Sequence, residues 1–241
     1  MLPIGRLAFI LRLSTSCTLF RLHPMRNAMA TTIVFLSGFV IMVLEIIGAR
    51  YLAKDFGSSF YVWTSQIGVI LIALALGYYA GGALVDRWQR AGPLTWLLLP
   101  AGLLTLLIPD FTPRVIDAIV LRHPTEQDIP ALWQRLDPVL GSAALFLMPC
   151  GVLAMLPPYM IRLASQRLGH VGRMSGLIYA ASTVGGIAGV FVSAYVLLEH
   201  MAISNIFRAM GGLTLGLAVL CPALDRWQTN LNLDTDRDST S

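Results

Sequence analysis

Charged residues are scarce in this chain. Asp, Glu, Lys and Arg make up only 12% of its 241 residues, and its mean hydropathy is +0.71. Soluble domains are about 25% charged, so this chain has too few charges to cover a water-soluble surface. The composition therefore argues against a soluble fold and for a protein solvated by lipid.

Cysteine and histidine are also too few and too scattered to build a familiar site. The three cysteines, Cys17, Cys150 and Cys221, are far apart, and two lie in apolar stretches where cysteine behaves as a small hydrophobe. We predict no disulfide framework and no metal site, since the loop residues His123, Glu126 and Asp128 match no ligand spacing. The four histidines supply no nucleophile and base set, so we expect neither enzyme activity nor a cofactor.

Long apolar runs dominate the chain, and they lack the alternation of membrane β-strands. Each is close to the roughly 20 residues that a helix needs to cross a hydrocarbon core of about 30 Å. The sequence therefore predicts an all-α, polytopic membrane protein with six transmembrane helices. The predicted spans are Ala30–Ala49, Gln66–Val85, Pro93–Pro109, Val139–Ile161, Ser175–Leu198 and Ile203–Ala223.

The remaining residues divide into two terminal segments and one long loop. We interpret 1–28 as an N-terminal arm, either disordered or an over-long gene start, although Met1–Pro24 also resembles a targeting segment or a surface helix. Residues 29–223 form the six-helix domain, and 224–241 form a polar tail. The loop Asp110–Asp137 is predicted to contain short interfacial helices.

The distribution of basic residues predicts the orientation of the helices. If the N-terminus is cytoplasmic, the inner segments carry more Arg and Lys than the outer ones, and this bias survives removal of the arm. We therefore expect both termini on the cytoplasmic side of a bacterial inner membrane.

Glu45 is the most informative residue in the spans, because a carboxylate inside a bilayer is costly unless something compensates it. We hypothesise that it pairs with Arg208, at similar depth in the sixth span, or titrates as a proton- or cation-binding site. Arg50 is the poorer partner because it points in a different direction from Glu45, and Tyr78 could line the same cavity. A purely structural ion pair is the alternative.

Glycine and proline mark where helices approach or bend. Three spans carry glycines four residues apart, a spacing that permits tight crossing in lipid, and we assign these to helix packing. The glycines are Gly77 and Gly81, Gly185 and Gly189, and Gly212 and Gly216. Pro149, Pro157 and Pro158 predict that the fourth helix is kinked, or broken so that it lines a cavity.

The turn after the second span carries Gly82, Asp86, Arg87 and Arg90. An aspartate followed by arginines at a helix end can form a charged latch between helices. The turn resembles the major facilitator loop signature G-x-x-x-D-R-x-G-R-K, with Gln89 in place of the usual glycine. An ordinary positive turn with a helix-capping acid is the alternative.

Ordered blocks along Thr31–Leu220 resemble the membrane region of bacterial fused major-facilitator/spermidine synthases. The blocks are Leu44–Glu45, Gly48–Leu52, Phe56–Ser59, Ala75–Gly82, Asp86–Arg87, Pro157–Leu163 and Gly172–Gly189. This resemblance implies half of a major-facilitator fold, built as a 3+3 inverted repeat. We expect no aminopropyltransferase-like domain of the usual kind after Ala223, so we carry no synthase catalysis over to any residue of this chain.

Two classes of function therefore stay open. In the first, the chain transports a small polyamine-like molecule or is the membrane partner of a separate synthase-like enzyme. In the second, it is a non-catalytic scaffold subunit of a larger membrane complex. In both, the expected partners are lipids and either a second copy or another membrane protein, and no nucleic acid is expected.

Overall fold

The computed structural model describes the backbone of residues 4–121, 130–164 and 171–240. Side chains are described for residues 27–121, 130, 132–164, 172–223 and 225. These parts of the chain are helical, contain no strand, and include six helices long and apolar enough to cross a membrane. The prediction of an all-α, six-span chain is therefore confirmed for the described residues.

The helices are numbered α1 to α6 in chain order. The first three are α1 (Ile4–Phe56), α2 (Phe60–Trp88) and α3 (Gly92–Val120, whose first turn, Gly92–Leu94, is a 3-10 helix). Helix α4 (131–164) joins Ala131–Ser142, a π-helical turn Ala143–Leu147, Met148–Ala154 and Leu156–Ala164. Helix α5 (171–200) joins Val171–Val192, a π-helical turn Ser193–Leu197 and Leu198–His200, and α6 is Ile203–Thr240.

The prediction that a loop extends from Asp110 to Asp137 is wrong at both boundaries. Residues up to Val120 continue α3 with Pro109 and Pro113 inside it, and α4 begins at Ala131. Prolines inside a membrane helix are tolerated because neighbouring groups satisfy the freed carbonyls. The acidic and histidine residues at 122–129, including His123, Glu126 and Asp128, lie outside the described residues.

Both predicted terminal segments have a helical backbone wherever it is described. Helix α1 begins within the N-terminal arm, and α6 continues through the polar tail to Thr240. The side chains before Asn27 lie outside the described residues.

Each helix has one main packing partner. Helix α1 packs along α5, α2 along α4, and α3 along α6, with smaller contacts joining α1 to α2, α4 and α6, and α4 to α3 and α5. Burial follows this pattern: 61% of the apolar stretch is buried in both α1 and α4, but only 28% in α2 and 22% in α5. Helices α1 and α4 therefore form the centre of the bundle, and α2 and α5 lie at its periphery.

Large side chains fill the centre. The ring centres of Phe146 in α4 and Phe207 in α6 are 6.0 Å apart. The ring centre of Tyr51 in α1 lies 5.3 Å from that of Phe207, and these two rings meet edge-on. Phe146, Phe207 and Tyr159 are fully buried. The apolar core is thus continuous through α1, α4 and α6.

Candidate functional site: polar groups within the helix bundle

Glu45 lies within the part of α1 that could span a membrane, Asn27–Phe56, and is half-buried. The helix runs on to Phe56, eleven residues further, so the carboxylate is about 16 Å of helical rise from that end and deeper than predicted. Among the described residues it forms no hydrogen bond or ion pair, and the Cys150 thiol of α4 is near enough to interact with it electrostatically. The bundle therefore presents an uncompensated carboxylate between its two most buried helices.

The predicted pairing of Glu45 with Arg208 is wrong in this structure. An Arg208 guanidinium nitrogen lies 3.8 Å from a carboxylate oxygen of Asp110 on α3, and the two side chains are 53% and 56% exposed. Ile206 and Phe207 lie on the buried face of α6, so Arg208, the next residue, lies on the outward face. Helix phase therefore directs Arg208 to α3 and away from α1.

The other two predicted binding residues, Tyr78 and Arg50, interact with other parts of the bundle and form no described contact with the Glu45 carboxylate. Tyr78 is exposed on α2 and interacts electrostatically with Tyr179 of α5. Arg50 is exposed near the end of α1 and lines a groove of about 480 Å³ between α1, α2 and α5. The groove is lined by Ile46, Arg50, Ala53, Lys54, Ser58, Trp63 and Leu198, so it reaches the neighbour of Glu45 but not Glu45 itself.

A buried polar contact that the sequence analysis missed ties three helices together. Gln66 of α2 is fully buried; its side-chain nitrogen donates to the Leu44 carbonyl of α1 at 3.4 Å, and its side-chain oxygen accepts from the Ser142 hydroxyl of α4 at 2.6 Å. A side chain at Gly48 would collide with the Gln66 amide. Gln66 had been assigned to the end of a predicted span, but α2 begins six residues earlier, which places it inside.

The break in α4 falls at Met155, between the segments Met148–Ala154 and Leu156–Ala164. Pro157 and Pro158 lack the N–H groups that would continue the helical ladder. Helix α2 packs into this region, because a Cβ atom at Gly77 would collide with the Gly151 carbonyl and one at Gly81 with the backbone of Met155. The break is therefore covered by α2 rather than open to a cavity.

The remaining glycines divide between close contacts and open positions. Gly185 and Gly189 of α5 lie against the backbone carbonyls of Phe35 and Phe39 of α1. The packing assignment of Gly212 and Gly216 does not fit, because added Cβ atoms would meet no heavy atom within 4 Å; Gly211 instead lies against Leu106 of α3.

The loop motif joins a network at one end of the bundle, which we call the Asp225 end. Asp86 lies 3.4 Å from the Arg162 guanidinium of α4, while Arg87 forms no ion pair with a described residue. The Arg90 carbonyl accepts a hydrogen bond from the buried Tyr159 hydroxyl. Gly82 is open, since a Cβ there would meet nothing within 4 Å.

Two further details shape this turn. Gln89, which replaces the glycine of the signature, ends α2 with a φ of 50°, a left-handed conformation that glycine adopts most easily. Asp225 of α6, which the sequence analysis assigned to the tail, accepts hydrogen bonds from the backbone N–H groups of Ala91 and Gly92 at 2.9 and 2.6 Å. A carboxylate in that position caps the start of α3.

Comparison with known proteins adds no assignment: no protein-family model, curated protein or solved structure matches the chain. Within the described residues, no group of three or more His, Cys, Asp or Glu side chains could hold a metal ion. The polar groups within and at the ends of the bundle are therefore the evidence on function.

Proposed function

We propose that this chain is half of a membrane transporter for a small, polyamine-like cation and that it works as a homodimer in the bacterial cytoplasmic membrane, with both termini cytoplasmic. The observation that carries the proposal is Glu45, a half-buried carboxylate without an ionic or hydrogen-bonding partner among the described residues. Ionisable side chains inside membrane proteins typically mark a path for an ion or substrate. A carboxylate suits a cationic substrate.

The packing pattern supports a 3+3 inverted repeat. If α1 is exchanged with α4, α2 with α5 and α3 with α6, the set of main contacts stays the same. The α1–α5 contact becomes the α4–α2 contact, and the α3–α6 contact is unchanged. The smaller contacts α1–α6 and α3–α4 also exchange, as do α1–α2 and α4–α5. The buried fractions are equal in α1 and α4, at 61%, and similar in α2 and α5, at 28% and 22%, whereas α3 and α6 differ more, at 33% and 44%. Transporters built from such repeats bind substrate near the bilayer midplane.

The exposed faces of α2 and α5 supply a surface for the second half. Large apolar side chains stand outward on both helices, among them Leu71 and Leu76 on α2 and Ile187 and Phe191 on α5. A second copy packed there would bury these apolar side chains. The resemblance to fused major-facilitator/spermidine synthases is the reason for choosing a polyamine, and it leaves a separate synthase-like enzyme as a further partner.

The alternative proposal is a non-catalytic scaffold subunit. One observation favours it: the Arg208–Asp110 ion pair is more than half exposed on the flank formed by α3 and α6, beside the open Gly212. Charges on a lipid-facing flank are costly. Another membrane protein covering this flank would remove that cost.

Uptake of labelled spermidine into proteoliposomes tests the transport proposal. Glu45→Gln keeps the side-chain volume and removes the charge, so we expect uptake to fall at least about tenfold, the effect of losing roughly 1.4 kcal/mol of substrate interaction. Glu199→Gln is the matched control, because Glu199 is exposed at the end of α5 and should leave uptake unchanged. No uptake by the native chain, or equal uptake by both variants, would reject transport and leave the scaffold proposal.

A further inference from the structure

The groove at the end of α1 carries two cations without a carboxylate partner. Arg50 and Lys54 are four residues apart on one helix, so their side chains lie on the same face. Neither forms an ion pair among the described residues; the Lys54 ammonium lies 5.4 Å from the centre of the Tyr51 ring. The neighbouring acids Asp55 and Glu199 are exposed and do not line the groove. The groove therefore has an uncompensated positive charge.

The lining changes from apolar to polar along the axis of α1. Ile46 provides hydrocarbon at one end, Lys54 and Ser58 provide donors at the other, and Leu198 of α5 adds further apolar surface. Ile46 and Lys54 are eight residues apart, or about 12 Å of helical rise. Trp63 also lines the groove and is 40% exposed, and tryptophan favours the boundary between hydrocarbon and headgroups. An occupant must therefore be charged at one end and apolar at the other.

We propose that this groove binds an anionic phospholipid, with the headgroup phosphate between Arg50 and Lys54 and the start of an acyl chain along Ile46 and Leu198. A guanidinium binds phosphate oxygens in a two-point geometry, and an ammonium adds a second positive charge. The volume of about 480 Å³ falls in the range of small-ligand sites. Two cations against one phosphate favour an anionic headgroup over a zwitterionic one. This site is independent of the transport proposal.

Quenching of Trp63 by brominated lipid tests the site. The full chain is reconstituted in phosphatidylcholine with a minor fraction of phosphatidylglycerol carrying brominated acyl chains, and Trp63→Phe isolates the Trp63 contribution. We expect brominated phosphatidylglycerol to quench Trp63 more than brominated phosphatidylcholine does at the same mole fraction. Arg50→Gln with Lys54→Gln should weaken the apparent affinity roughly 30-fold, since each cation near a membrane surface contributes roughly five- to sixfold.

Three controls separate the site from general electrostatics. Arg114→Gln with Arg173→Gln removes the same charge from two other exposed positions and should keep the preference. Exchanging the cations, Arg50→Lys with Lys54→Arg, should also retain most of it, which excludes a folding defect at these positions. Inorganic phosphate, compared with sodium chloride at equal ionic strength, should not displace the lipid. Equal quenching by the two lipids, an unchanged preference in the double Gln variant, or displacement by phosphate would overturn the proposal.

Discussion

The two ends of the bundle differ in how their polar groups are used. At the Asp225 end, the turn between α2 and α3 is held by Asp225 through two backbone N–H groups and by Tyr159 through the Arg90 carbonyl. At the opposite end, which we call the Arg50 end, Arg50 has no ion-pair partner among the described residues and stands over an open groove. The turn at the Asp225 end is therefore held by contacts within the chain, whereas the Arg50 end leaves Arg50 and Lys54 available for a ligand.

Glycine substitutions along α2 should show the largest difference between the ends. Gly81→Ala, toward the Asp225 end, would push a Cβ atom into the backbone of Met155, and we expect a loss of about 1–3 kcal/mol in the free energy of unfolding. Gly68→Ala, toward the Arg50 end, meets nothing within 4 Å and should be neutral or stabilising by up to about 1 kcal/mol.

Titration with SDS in mixed micelles, followed by circular dichroism, measures both variants on one scale. Equal midpoints for Gly81→Ala and Gly68→Ala would mean that the close approach of α2 to Met155 at Gly81 contributes nothing to stability, against our expectation.

Removing the α3 cap should have the next largest effect. Asp225→Ala deletes an acceptor that serves two backbone donors, and hydrogen bonds to charged groups contribute about 1.5–3 kcal/mol. We expect a decrease of about 2 kcal/mol in the same SDS titration. Asp55→Ala is the matched control at the Arg50 end, because this exposed carboxylate forms no hydrogen bond or ion pair with a described residue. If both substitutions lower stability equally, the Asp225 contacts are not what fastens that end.

The number and approximate positions of the spans could be predicted from hydropathy, because lipid solvation acts on each helix separately. The C-terminal end of α3 could not, since the predicted third span stopped at Pro109, whereas the surrounding bundle makes Pro109 and Pro113 acceptable inside a helix. The resemblance to the major facilitator loop signature directed attention to Asp86 and the turn after it. It gave no indication of Tyr159 or Asp225, whose role depends on how α4 and α6 pack against this turn.

Pairing between helices was the part that sequence could not supply. Arg208 and Glu45 appeared to lie at similar depth, but the burial of Phe207 sets the phase of α6 and turns Arg208 toward Asp110. The same phase selects Gly211 over Gly212 for the contact with α3. Depth follows from counting residues along one helix, whereas facing direction depends on which side of every neighbouring helix is buried.

The Asp86–Arg162 ion pair should make the smallest contribution at the Asp225 end. The side chains are 71% and 63% exposed and 3.4 Å apart, and exposed pairs contribute between nothing and about 1 kcal/mol because water and salt screen them. A double-mutant cycle with Asp86→Asn and Arg162→Gln should give a coupling energy below about 0.5 kcal/mol that disappears at high salt. A larger, salt-insensitive coupling would mean that the pair is shielded in the working protein, and a second protein covering this end would explain the shielding.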